Sequence, residues 1–195
     1  MKFEHVLLGF VAMRPCTGYD LKRWLGSEMG RMSRLPSQQS QIYRTLARMT
    51  ADDWLTYDVE RNEGRPDSKV YRVTATGERV LRARLAEPYE PPVDFGDPEF
   101  PTRYLLSVFV TEEERIALVR TELEARRAQL DRFRARDMRE EPWLPGLDPR
   151  RMARILDHVH ESKDRALVTH VRWLEEVLAE LTGTTDPAGP GTPHT

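Results

Sequence analysis

Apolar residues recur at helical spacing from the start of the chain. Phe3, Val6, Leu7, Phe10 and Val11 share one face, and the pattern stops at Arg14-Pro15 because the residue before a proline resists helical backbone. Thr17-Gly18 offers a cap for a second helix, with Tyr19, Leu21, Trp24 and Leu25 inward and Lys22 and Arg23 outward. The Gly-, Ser- and Arg-rich stretch 26–36 reads as a connection. Ser37 then offers an N-cap for a third helix that reaches about Asp52 and buries Ile42, Leu46 and Met49. From Trp54 the period falls to two: Leu55, Tyr57 and Val59 alternate with Thr56, Asp58 and Glu60, and Val70-Tyr71-Arg72-Val73 resumes the alternation after a tight polar tip, residues 62–67. Thr74 caps a fourth helix anchored by Val80, Leu81 and Leu85.

Five prolines between Pro88 and Pro101 bar a helix or central strand from that stretch, so it is expected to be a linker. Beyond it, Tyr104, Leu105, Leu106, Val108 and Phe109 predict a compact helix. Thr111 and Glu114 form a capping box for a long helix carrying Ile116, Val119, Leu123, Leu130 and Phe133. Asp148-Pro149 supplies an N-cap and a first-turn proline for a final helix of roughly thirty residues, or about 45 Å. Its stripe of Leu156, Val159, Leu167, Val171, Leu174 and Leu178 wants a partner, and those six residues are assigned to dimerisation. The expected division is a winged helix-turn-helix domain over residues 1–87, a proline-rich linker over 88–102, an α-helical dimerisation domain over 103–182 and a disordered tail over 183–195. The fold class is mainly α with a small β-hairpin.

Charge sharpens this division. The chain of 195 residues has a net charge of -2, which argues against a nucleic-acid partner. The two halves differ, however: residues 1–88 hold 15 Lys and Arg against 11 Asp and Glu, and residues 89–195 hold 15 against 21. Arg31, Arg34, Arg44 and Arg48 occur in a stretch, Met29 to Ala51, that contains no acid. A helix presenting Ser37, Gln38, Ser40, Gln41, Tyr43, Arg44 and Arg48, followed by a hairpin with Arg65 and Lys69, has the chemistry of groove and phosphate contact. Gln bonds adenine edges, Arg reads guanine or phosphate, and hydroxyls suit phosphate oxygens. The expected partner is double-stranded DNA.

These residues carry a family likeness. Leu7-Leu8-Gly9, Gly18-Tyr19-Asp20-Leu21, Gln41-Ile42-Tyr43-Arg44-Thr45-Leu46, Gly64-Arg65-Pro66 and Val70 to Gly77 occur in the order in which they stand in the PadR-like transcriptional regulators, which the chain resembles over about 75 residues. Trp173-Leu174-Glu175-Glu176 resembles the subgroup with a long C-terminal domain. The resemblance implies a homodimer joined by its C-terminal helices on a near-palindromic operator, and a repressor released by a small molecule. Phe109, Phe133, Trp143 and Trp173 are candidates for a pocket taking a small aromatic effector.

Other classes find less in the sequence. There is no phosphate-binding glycine loop, nucleophile elbow or HExxH, so an enzyme is not expected, and no cofactor is. His158 and His160 are two apart on a helix and point away from each other, which argues against a metal site. The single cysteine, Cys16, has no internal disulfide partner and reads as a small buried hydrophobe; with no membrane-length apolar run and no leader pattern, a cytoplasmic address is expected. The alternative is an interaction adaptor that keeps the winged-helix scaffold without binding DNA.

Overall fold

The computed structural model describes residues 1–27, 38–61, 67–135 and 148–183. They divide into two compact units, Met1–Arg115 and Ile116 onward. The first contains α1 (Phe3–Met13), β1 (Cys16–Thr17), α2 (Gly18–Leu25), α3 (Gln39–Ala51), β2 (Leu55–Glu60), β3 (Ser68–Val73), α4 (Ala75–Ala86), α5 (Glu99–Leu106) and a 3-10 turn at Ser107–Phe109. Then come α6 (Glu112–Arg134), which opens at the edge of the first unit, and α7 (Pro149–Leu181). Among the described residues, no helix is long and apolar enough to cross a membrane.

Local chemistry sets the helix boundaries. Thr17 and Asp20 form a reciprocal capping box at α2: the Asp20 amide donates to Thr17 Oγ1 at 3.1 Å, and the Thr17 amide donates to Asp20 Oδ2 at 3.0 Å. The same exchange joins Thr111 and Glu114 at α6, and Asp148 caps α7 by accepting from the Arg150 amide at 2.9 Å. Helix α3 ends in a Schellman arrangement. The Trp54 amide donates to the Met49 carbonyl and that of Asp53 to Thr50, with Asp53 in the left-handed region at φ 58°. An aspartate tolerates that conformation better than most residues.

This turn anchors the next helix. The Thr74 amide donates to the Trp54 carbonyl at 3.0 Å, and its hydroxyl donates to the Asp53 carbonyl while accepting from the Gly77 amide. Only a glycine fits at position 77, since a Cβ there would lie 2.1 Å from the Trp54 carbonyl oxygen. The core gathers Leu7, Leu8 and Val11 of α1 with Leu21 and Leu25 of α2 and Ile42, Leu46 and Met49 of α3, and is closed by Leu55, Tyr71 and Leu81.

Three features differ from the sequence expectation. The sheet has three strands, in the order β1-β3-β2, because Cys16 and Thr17 pair with Tyr71 and Val70; a two-residue strand has no period to read. Helix α5 starts at Glu99, inside the proline run. Pro101 sits in its first turn, where an amide has no helical partner to lose, and Pro98 takes the N-cap position. Lastly, the stretch read as a linker leads into the first unit's core. Leu106 is fully buried against Gly9, Arg103 donates to the Glu87 carbonyl at 2.8 Å, and Glu99 accepts from Arg103 Nε at 2.9 Å. The first compact unit therefore runs past residue 102, to Arg115.

In the second unit α6 and α7 lie antiparallel. Glu122 faces His170, Arg127 binds Glu175 at 2.6 Å, Arg134 binds Asp164 at 2.9 Å, and Phe133 stacks on His160 with ring centroids 4.1 Å apart. Val119, Leu123 and Leu130 supply the apolar seam from α6; Leu167, Val171 and Leu174 supply it from α7. A Glu122–Arg126 ion pair at 3.0 Å, both side chains 2% exposed, is buried within it.

Candidate nucleic-acid interface

Helix α3 is amphipathic because its apolar residues fall at Ile42, Leu46 and Met49, all at 0% exposure. At 100° per residue, the positions diametrically opposite are Ser40, Arg44, Ala47 and Ala51, and all four are exposed. Arg44 is the cation at the centre of that face. Ala47, which the sequence reading passed over, stands one turn further on and lets a large partner approach closely. Gln38 precedes the helix, is exposed and spends no side-chain bond on the cap; Gln41 is half-buried on one flank.

Tyr43 occupies the other flank, 41% exposed, with its ring over Gly18 at the start of α2; a Cβ on Gly18 would come within 2.6 Å of it. Lys22 of α2 donates to Gln39 at 3.0 Å, so the two helices are tied at the N-terminal end of the exposed face. Arg48 is compensated from outside its own stretch. Its Nη2 lies 3.4 Å from Glu4 Oε2 of α1, an acid that the acid-free run from Met29 to Ala51 does not reveal. Ser37 and Arg65 lie outside the described residues, as do Arg31 and Arg34.

On the hairpin, Tyr57↔Tyr71 and Val59↔Lys69 are register partners and so share one face. Lys69 Nζ stands 4.0 Å above the Tyr57 ring, which holds the ammonium in place by cation–π attraction. Tyr71, on the same face, is buried. Burial raises its phenol pKa, Lys69 lowers it, and Tyr43 and Tyr57 raise it further. Tyr71, Tyr57 and Lys69 thus form a continuous path along the hairpin, with Tyr43 of α3 near enough to act on Tyr71 electrostatically. The other hairpin face carries Asp58, paired with Arg72 at 2.9 Å, and Glu60. Arg61, at the end of β2, is an exposed cation that the sequence reading did not select.

The residues assigned to dimerisation separate into two groups. Leu167, Val171 and Leu174 are buried in the single chain, and Leu178 is half-buried. Val159 is 55% exposed and its neighbour Ile155 53%, while Leu156 and Met152 are half-buried. Among the described residues, the stripe is most exposed toward the start of α7.

The aromatic residues proposed for an effector pocket each have a partner of their own where they are described. Phe109 packs against the first unit's core. Phe133 stacks on His160 and Trp173 on His170, and ten residues of helix, about 15 Å, separate those two histidines. Trp143 lies outside the described residues. The thiol of Cys16 is pushed up to about 11 by burial, as suits a residue that packs rather than reacts.

Residues 7–83, the helices and hairpin that build this surface, match the model of the transcriptional regulator PadR-like family. Over this segment, less than half of the chain, the protein is similar to the PadR-like family. The PadR-like segment is similar to a probable transcriptional regulator of Mycobacterium tuberculosis, 33% identical over 91 residues; that match spans 47% of the chain and only 47%, about half, of the relative. It is also similar to the negative transcriptional regulator PadR of Bacillus subtilis, 24% identical over 65% of this chain and 68% of that one. A crystal structure of Bacillus subtilis PadR in complex with operator DNA superposes with a TM-score of 0.44 at 21% identity, covering 91% of this chain and 98% of that one.

Proposed function

We propose that this PadR-like chain is a DNA-binding transcriptional regulator that works as a homodimer on a near-palindromic operator. The observation that carries the reading is the outward face of α3. Ser40, Arg44 and Ala47 form an exposed, acid-free line narrow enough to enter a major groove, and the hairpin that follows carries the Lys69 ammonium over Tyr57. In this arrangement Arg44 reads a base edge or phosphate from the groove, Gln38, Ser40 and Gln41 bond neighbouring edges or phosphate oxygens, and Lys69 with Arg61 contacts the flanking backbone. Arg48 contributes less, because Glu4 already answers its charge.

A second copy would meet this one through the uncovered start of α7, at Ile155 and Val159, setting two recognition helices about 34 Å apart or a multiple of it. Repression is the sign of regulation that the name of the Bacillus subtilis relative supports. Selection of bound duplexes from a random pool, followed by anisotropy titration at several salt concentrations, tests the whole reading. Arg44→Ala should cost about 1–3 kcal/mol, and should lower the salt slope by about one if its partner is phosphate. Unchanged affinity and slope in that variant, or no duplex binding at low salt by the parent chain, would remove the proposal. Sedimentation showing a monomer at micromolar concentration would remove the dimer.

A further inference from the structure

One side-chain bond joins α2 to the first residue of α3. Lys22 Nζ donates to Gln39 Oε1 at 3.0 Å, and Gln39 is a residue that the sequence reading passed over between Gln38 and Ser40. The chemistry of the donor fixes which end of the amide takes part. An ammonium has three hydrogens to give and no lone pair, so the atom facing it is the carbonyl oxygen, and turning the Gln39 amide over would set two donors against each other. The NH2 group of Gln39 has no acceptor among the described residues. Gln38, Gln39 and Ser40 are all exposed, at the end of α3 that a recognition helix presents to base edges.

That bond changes what a glutamine can read. With both ends free, its side chain pairs with adenine, accepting from N6 and donating to N7. With its oxygen held by Lys22 it has only hydrogens to offer. The major-groove edges that accept them best are the keto groups, guanine O6 with N7 beside it and thymine O4, whereas the amino groups of adenine and cytosine present donors of their own. We infer, on the DNA-binding reading proposed above, that Gln39 is a base-reading residue held as a hydrogen-bond donor by Lys22, so that it selects a keto base, guanine or thymine, at one position of each half-site. Lys22 is its positioning residue: it acts through Gln39 and not through a phosphate.

The test selects duplexes from one random pool in parallel with the full parent chain, with Lys22→Met, which keeps most of the aliphatic stem and removes the ammonium, and with Gln39→Ala. Both side chains are exposed, so neither change disturbs the core. The parent should enrich guanine or thymine at one position of each half-site. Lys22→Met should keep the rest of the motif and shift that position toward adenine by about fivefold, the effect of one hydrogen bond regained, at an unchanged salt slope. Gln39→Ala should lose the preference there and nowhere else. Three results would overturn the inference while leaving the DNA-binding reading intact: a Lys22→Met motif identical to the parent's, a parent preference for adenine or cytosine at the position that Gln39→Ala alters, or a Gln39→Ala motif unchanged throughout. A fourth would do the same, a Lys22→Met chain weakened on all sequences alike with its salt slope lower by about one, which would make Lys22 a phosphate contact. A parent chain that enriches no motif would overturn both.

Discussion

Replacing Gly77 with Ala tests the joint that fixes the hairpin to the helices. The added Cβ would stand 2.1 Å from the Trp54 carbonyl oxygen, 2.9 Å from Val73 Cγ2 and 3.0 Å from the Trp54 carbonyl carbon. A carbon and a carbonyl oxygen meet comfortably at about 3.3 Å, so α4 or the Asp53-Trp54 turn must retreat by roughly 1.2 Å. The obstacle is backbone, which cannot rotate aside. Retreat breaks the Thr74 amide bond to Trp54, about 1 kcal/mol, and strains the Thr74 cap on the Gly77 amide, about 1 kcal/mol more. Overpacking of the remaining contacts adds about 1–3 kcal/mol, and the better helix propensity of alanine returns at most about 1 kcal/mol. The net loss is about 2–4 kcal/mol. Urea unfolding followed by circular dichroism measures it as a lower midpoint at unchanged slope. Gly9→Ala, which meets only the movable end of Leu106, should lose less, and Gly26→Ala, whose nearest atom is 3.3 Å away, should lie within about 0.5 kcal/mol of the parent. A Gly77→Ala chain as stable as the parent, or less affected than Gly9→Ala, would refute the steric account.

Other perturbations have equally definite outcomes. Glu4→Gln releases Arg48 from its partner, so it should tighten binding to random duplex at low salt and steepen the salt slope; a flat result would mean that the pair has no influence on DNA. Arg126→Met removes the guanidinium paired with the buried Glu122 carboxylate and should cost about 3–5 kcal/mol in thermal or urea unfolding, whereas Glu122→Leu with Arg126→Met should return most of it, because an apolar pair avoids the desolvation of both ions. Stability should also fall with acid through His5. Its folded pKa is lowered chiefly by burial, with Arg84 and Lys2 adding to the effect and Glu4 and Glu87 opposing it, so the unfolded chain takes up the proton first. The contribution is complete above the unfolded value of about 6.5 and is lost as pH falls below it toward the folded value. His5→Gln should flatten the urea midpoint between about pH 7 and pH 5, and an unchanged profile would assign the dependence elsewhere.

The sequence alone determined what short-range chemistry determines. Thr111 with Glu114 spells a capping box, Thr17 and Thr74 stand just ahead of helical apolar patterns, and all three cap their helices. Period and motif located α3 and the hairpin, and they sufficed for the PadR-like resemblance, because each is written within a dozen residues. Tertiary structure decided what depends on which surfaces meet. Only packing brings Glu4 to Arg48 and turns one of the expected free cations into half of an ion pair. Only packing carries Leu106 past five prolines into the notch left by Gly9, and buries Leu167, Val171 and Leu174 within the single chain while leaving Ile155 and Val159 exposed. An amphipathic stripe records that a face must be covered, but the covering element is chosen by contacts between residues far apart in the chain, and the order of residues carries no local mark of those contacts.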